Sequence, residues 1–194
     1  MKKLLIHTTG AAVILAVALA TAAIANTALG ATRTAGKAPF DRAFIDAMVP
    51  HHRSAIEMAR VAKKEGLKQP ELLKIANAII ATQGKEIAQM IAWRKAWFGS
   101  GRIDPDGAAE LGLSEQEMGV DHDAGELRRT DDLDATFATL MLGHHQGAVR
   151  MSRLALKRGG HAELKQLARR IIATQSREIT ILRKHAGGGH GGGH

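Results

Sequence analysis

One eleven-residue pattern occurs twice in this chain: Met-x-x-His-His-x-x-Ala-x-x-Met stands at 48–58 and again at 141–151. The duplication runs wider. Ile171-Ile172-Ala173-Thr174-Gln175 copies Ile79-Ile80-Ala81-Thr82-Gln83, Glu178 stands where Glu86 does, and Leu133-Asp134-Ala135-Thr136-Phe137 echoes Phe40-Asp41-Arg42-Ala43-Phe44. Two like segments fold alike, and each must hide its apolar face against the other. At about 100° per residue, Phe44, Met48, His51, His52, Ala55, Met58, Ala59 and Ala62 share one helix face, with Arg53, Glu57, Arg60 and Lys64 opposite. The second helix of the first half places Leu72, Ile75, Ala76, Ile79, Gln83, Glu86, Met90, Trp93 and Trp97 on one face.

The punctuation predicts the boundaries. Pro39-Phe40-Asp41 opens the first helix with Asp41 as its cap, and Gly66 closes it after Glu65. Pro50 inside it reads as a kink, a helix restarting at Pro50 being the alternative, and Gly143 loosens the second copy at the same place. Pro70 starts the second helix after a short turn, so the two form an antiparallel hairpin that brings Glu86 to the histidine level. A second hairpin comes next, about Leu133 to Lys157 and Ala162 to His185. The expected fold is all-α: a four-helix bundle of two repeated hairpins joined by a long crossover. An aromatic content of 3% and abundant Ala, Leu, Lys and Glu agree with helix. The domain spans 39–186, with repeats at 39–97 and 133–186 and a glycine-punctuated connector at 98–132. In that connector Ser114 and Glu117 have capping-box spacing, and Asp121-His122-Asp123 offers three polar ligands.

The ends bear on compartment. Lys2 and Lys3 precede an apolar run at 11–25 that closes on Ala23-Ile24-Ala25, the layout of a signal peptide over 1–25. That run is short of the ~20 residues a membrane span needs, so membrane contact is expected only through an uncleaved leader. The protein should act in the periplasm or outside the cell. Residues 26–38 form a connector, and 187–194 form a Gly/His tail that cannot pack. The net charge of +8 is scattered over polar faces without interleaved aromatics, so nucleic acid is not an expected partner. A homo-oligomer stays open.

The chain has no cysteine, which removes thiolate metal sites and thiol nucleophiles. Any soft-metal chemistry must come from methionine and histidine. Imidazole suits several transition metals, whereas a thioether narrows the choice to Cu(I) or Ag(I). The candidate donors are Met48, His51, His52, Met58 and Met90 in the first half and Met141, His144, His145 and Met151 in the second. Gln83, Glu86, Gln175 and Glu178 stand behind them as partners, while Leu182 replaces Met90 in the copy. Met118 and His122 are further candidates, and His185, His190 and His194 would take Cu(II) loosely.

Methionine at helical spacing is ordinarily core filler, and buried histidine is ordinarily paired with a carboxylate. The runner-up is therefore a metal-free bundle with a buried His/Glu network serving as an envelope interaction module. Duplication of the whole polar set favours metal, since such groups cost stability unless paired. Enzyme signatures are missing: no glutamate stands three residues before a histidine as di-iron bundles require, and no His-Glu-x-x-His or Gly-x-Ser-x-Gly occurs. The expectation is a binding protein and not an enzyme. With ordinary histidine pKa values its metal affinity would fade below about pH 6.

The segment 48–59, its copy from Met141, and Met118-Gly-Val-Asp-His122 before the copy resemble the CopM-like family, catalogued as domain of unknown function 305. The likeness spans about Phe40 to His185. It implies a ferritin-like four-helix bundle, export, and copper held by methionine and histidine, which falls here on the nine donors named above. The chain departs from the pattern at Gly143, where proline is usual, and at Arg53 and Leu182. The resulting expectation is an exported protein that sequesters or carries Cu(I), with Cu(II) or Ag(I) as alternatives, for tolerance or homeostasis.

Overall fold

The computed structural model describes residues 38–121 and 123–187. The chain divides into units Met1–Thr32 and Arg33–His194, and the first lies outside the described residues, as does the expected leader. Four long helices make the frame: α1 (Ala38–Glu65), α2 (Pro70–Phe98), α4 (Leu133–Arg158) and α5 (Ala162–His185). A one-turn α3 (Glu115–Met118) sits in the connector between two 3-10 turns, Gly107–Leu111 and Ala124–Arg128. The all-α bundle of two hairpins is as expected. α1 packs on α2, α4 on α5, and α1 on α4 between the hairpins, while α2 touches α5 along a looser seam. No described helix is long and apolar enough to cross a membrane.

The core is cut in two. On one side lie Phe40–Val49 residues of α1 with Met90, Met118, Ala148, Met151, Ala155 and Leu164 to Ile171. On the other lie Ala55 to Ala62 with Leu72 to Ile79, Phe137 to Met141, and Leu182. Between them every long helix contributes polar residues: His51 and His52, Gln83 and Glu86, His144 and His145, Gln175 and Glu178. The antiparallel order of the hairpins puts these four pairs at one level, because each pair sits near mid-helix.

Several local expectations change. α1 begins at Ala38, so Asp41 lies inside it and does not cap it. Asp41 is fully buried and accepts instead from Gly160 N at 2.8 Å and His161 N at 2.8 Å, fastening the α4–α5 turn to α1. α1 runs unbroken through Pro50, and α4 runs unbroken through Gly143. The connector passes close by: Gly119, at φ 68°, lies so near α4 that a Cβ on it would collide with the Gly143 carbonyl. One turn on, a Cβ on Gly147 would run into the Met118 carbonyl oxygen. The connector backbone is therefore seated against α4 where Gly147 leaves room for it and Gly119 allows the approach.

The connector is also pinned from below. Asp46, 1% exposed, accepts from Arg94 Nε at 2.6 Å and Nη2 at 3.0 Å, and from the Asp104 amide at 3.0 Å. Ser114 and Glu117 do form a capping box, which starts α3. Asp123, expected among three possible ligands, caps its own turn through Gly125 N and faces Arg129 at 3.6 Å.

Candidate metal centre

α1 and α4 deliver the four histidines, and helix phase sorts them. His51 and His144, one from each copy, meet at the bundle centre with ring centroids 3.6 Å apart. Their neighbours turn by about 100° toward the outer helices. His52 Nε2 donates to Glu86 Oε2 at 2.9 Å, and His145 Nε2 donates to Glu178 Oε2 at 2.8 Å. Glu86 and Glu178 thus stand behind the imidazoles, each within its own hairpin, as the sequence implied.

A further contact comes from the connector: His51 Nε2 donates to the Met118 carbonyl oxygen at 2.9 Å. A carboxylate or carbonyl oxygen can only accept, so three of the four rings carry a proton on Nε2. The Nδ1 atoms of His51, His52 and His145 are buried without a hydrogen-bond partner, as are both nitrogens of His144. A ring anchored through one nitrogen by an oxygen, with the other nitrogen free, is the usual preparation of a histidine ligand.

Charge state agrees. Burial, reinforced by His52, pushes the His51 imidazole down to about 3, and burial with the field of His51 holds His144 well below its ordinary value. Both are neutral bases at any physiological pH. Desolvation thus keeps protons off this central pair well below pH 6, where ordinary histidine would take them up.

The methionines are regrouped by the fold. Met48, Met58, Met90, Met141 and Met151 are all at most 1% exposed. Sequence spacing grouped Met48 with Met58 and Met141 with Met151, one pair per hairpin. In the bundle Met48 and Met151 share one half of the core with Met90 and Met118, and Met58 shares the other with Met141 and Leu182. The antiparallel crossing of α1 and α4 is the cause: residues N-terminal to the histidines on one helix face residues C-terminal to them on the other. The two ends of the centre are unequal, four thioethers against two.

Among the described residues no three His, Asp or Glu side chains form a metal-holding group. The histidine layer lies between core halves that hold buried thioethers, donors that suit a soft ion. Gln83 and Gln175 are 3% exposed and line the α2–α5 seam, where their Oε1 atoms have no partner; they make no hydrogen bond to a histidine. His122, His190 and His194 lie outside the described residues. His185 is apart from the centre and bonds Glu71 at 3.0 Å.

Sequence reasoning missed three residues that hold this region: Asp46, Arg94 and His161. Asp46 interrupts an otherwise apolar run, Phe44-Ile45-Asp46-Ala47-Met48, which was the available signal. His161 pairs with Asp41 and stacks flat on Trp97 at 3.7 Å, and nothing in its local sequence marks that contact.

No curated protein matches the chain. Among solved structures, CopM in a Cu(I)-bound form is 32% identical, covers 74% of this chain and 93% of its own, and superposes with a TM-score of 0.63. CopM in a Cu(II)-bound form is likewise 32% identical over the same shares, with a TM-score of 0.65. A DUF305 protein from Streptomyces coelicolor, whose name proposes that it is secreted, is 25% identical over 78% of this chain and 97% of its own, at a TM-score of 0.67. The sequence pattern of one family matches residues 16–93 and 41–186, and by that match the chain belongs to the family described as Domain of unknown function (DUF305).

Proposed function

We propose that this protein binds copper, preferentially Cu(I), at the central histidine layer, and that it stores the ion or hands it on outside the cytoplasm. The observation that carries this is the cost of the layer as it stands. Five imidazole nitrogens are buried without partners at matched places in the two halves. Each such group costs about 1–3 kcal/mol of stability, which leucine at those positions would not incur. A soft ion taken by His51, His144 and the adjacent thioethers, with His52 and His145 oriented by their glutamates, would offset that cost. CopM, solved with Cu(I), Cu(II) and Ag bound, supports the metal class. Export rests on the leader-like 1–25 segment and on the name of the Streptomyces coelicolor relative.

The His52–Glu86 and His145–Glu178 bonds support a second reading, a metal-free network that only holds the helices in register. Titration of the full chain with Cu(I) against a chromophoric chelator separates the two. Copper binding should be present in the wild type and fall at least ~100-fold in the doubly substituted H51L/H144L protein, whose fold is checked by circular dichroism. Equal affinity in both proteins would leave the network reading standing.

A further inference from the structure

The copied pentapeptides 79–83 and 171–175 do more than repeat: α2 and α5 bring them face to face. Their seam holds a cavity of about 10 Å³ lined by Thr82, Gln83 and Glu86 and by the equivalent Thr174, Gln175 and Glu178, with Ala78, Ile79 and Ile171 as its apolar walls. That is space for one water or one small ion. We propose that this cavity is a second cation site, built of oxygen and taking a hard divalent cation of the Mn²⁺ or Ca²⁺ class.

The donor set argues for a cation over a water. Gln83 and Gln175 are each 3% exposed, and the Oε1 of each is buried with no hydrogen-bond partner. The carboxylates of Glu86 and Glu178 each use Oε2 to accept from a histidine, and both residues line the same cavity. Amide and carboxylate oxygens are acceptors only, and a water brings no charge to set against two carboxylates. A divalent ion takes the two unpartnered amide oxygens, and the two carboxylates balance its charge. Oxygen donors of this kind are those that Ca²⁺ and Mn²⁺ accept. Mg²⁺ fits less well, because it keeps several of its waters.

The rim opposes the ion. Lys85, Arg170 and Arg177 line the groove of about 600 Å³ that opens above the seam. Their field weakens cation binding and places it in the range of weak extracellular sites, roughly 10⁻⁴–10⁻³ M. The site uses oxygen where the histidine layer offers nitrogen and sulfur, although Glu86 and Glu178, which hold His52 and His145, are common to both, so the glutamines and not the glutamates are substituted in its test.

The test uses the metal-free full chain and Mn²⁺, read by loss of the free-ion electron paramagnetic resonance signal, with Ca²⁺ as competitor. One Mn²⁺ per chain is expected, displaced by Ca²⁺ and weakened at least ~10-fold in Q83L/Q175L. The same variant has a second readout that a structural role would reverse. Removing two unpartnered buried amides should raise the metal-free melting temperature while abolishing the rise that Mn²⁺ causes in the wild type. The proposal is overturned if ~2 mM Mn²⁺ leaves the wild-type signal unreduced, if Q83L/Q175L binds as well as the wild type, or if that variant melts lower or fails to fold. Copper titration of the same proteins reports on the histidine layer independently.

Discussion

Replacing His51 with leucine should remove much of this protein's sensitivity to mild acid. In the folded state burial holds the His51 imidazole at about 3, against about 6.5 in the unfolded chain. Between those values the unfolded state binds a proton that the folded state refuses, so stability rises with pH there and is lost as pH falls below 6.5. At pH 7 the loss is a few tenths of a kcal/mol. At pH 5, a pH unit and a half below the unfolded value at ~1.4 kcal/mol each, it reaches about 2 kcal/mol from His51 alone. His51 is 2% exposed, so solvent screening does not shrink the figure. His144, shifted in the same direction by burial, adds to it. The assay is urea unfolding of metal-free protein at pH 7 and pH 5, in chelator, for the wild type and H51L. The variant should start from a different stability at pH 7, since the Met118 carbonyl loses its donor, but should lose about 2 kcal/mol less between the two conditions. Parallel losses would show that His51 is not held neutral and would refute the desolvation of the central pair.

Converting both carboxylates, E86Q/E178Q, should keep the fold and weaken copper affinity about 10–100-fold in chelator competition, because the amides orient His52 and His145 less firmly. In G147A the new Cβ collides with the Met118 carbonyl, and denaturant unfolding should show a loss of about 1–3 kcal/mol together with faster proteolysis near 118. D46A leaves Arg94, 6% exposed, without its carboxylate and should cost about 3–5 kcal/mol by the same measurement, whereas conversion of exposed Glu57 to alanine should cost under ~0.5 kcal/mol.

Much of the centre was legible because helix phase is local. Met48, His51, His52 and Met58 fall on one face of any helix that contains them, and Gln83 and Glu86 interrupt an apolar stripe in plain view. The glutamate partners could be named for the same reason, since a short turn at 66–69 sets the register of α1 against α2. Asp41 was misread as a cap because its neighbours look like a helix start. Its partners, Gly160 and His161, are remote in sequence and carry no local mark. Gly143 was expected to loosen α4, which runs unbroken through it, while the glycine that makes room for the passing connector is Gly147, and in one dimension the two look alike.

Local chemistry therefore determined the helices, the duplication, the absence of thiolate and the donor types, all of which depend on spacing within a few turns. Only the tertiary structure decided how the halves meet: His51 against His144, Met48 with Met151 rather than Met58, the Met118 carbonyl over His51, and the paired glutamines at the α2–α5 seam. Those pairings depend on the antiparallel crossing of helices far apart in the chain, and on the desolvation that close packing brings, neither of which any short stretch of residues encodes.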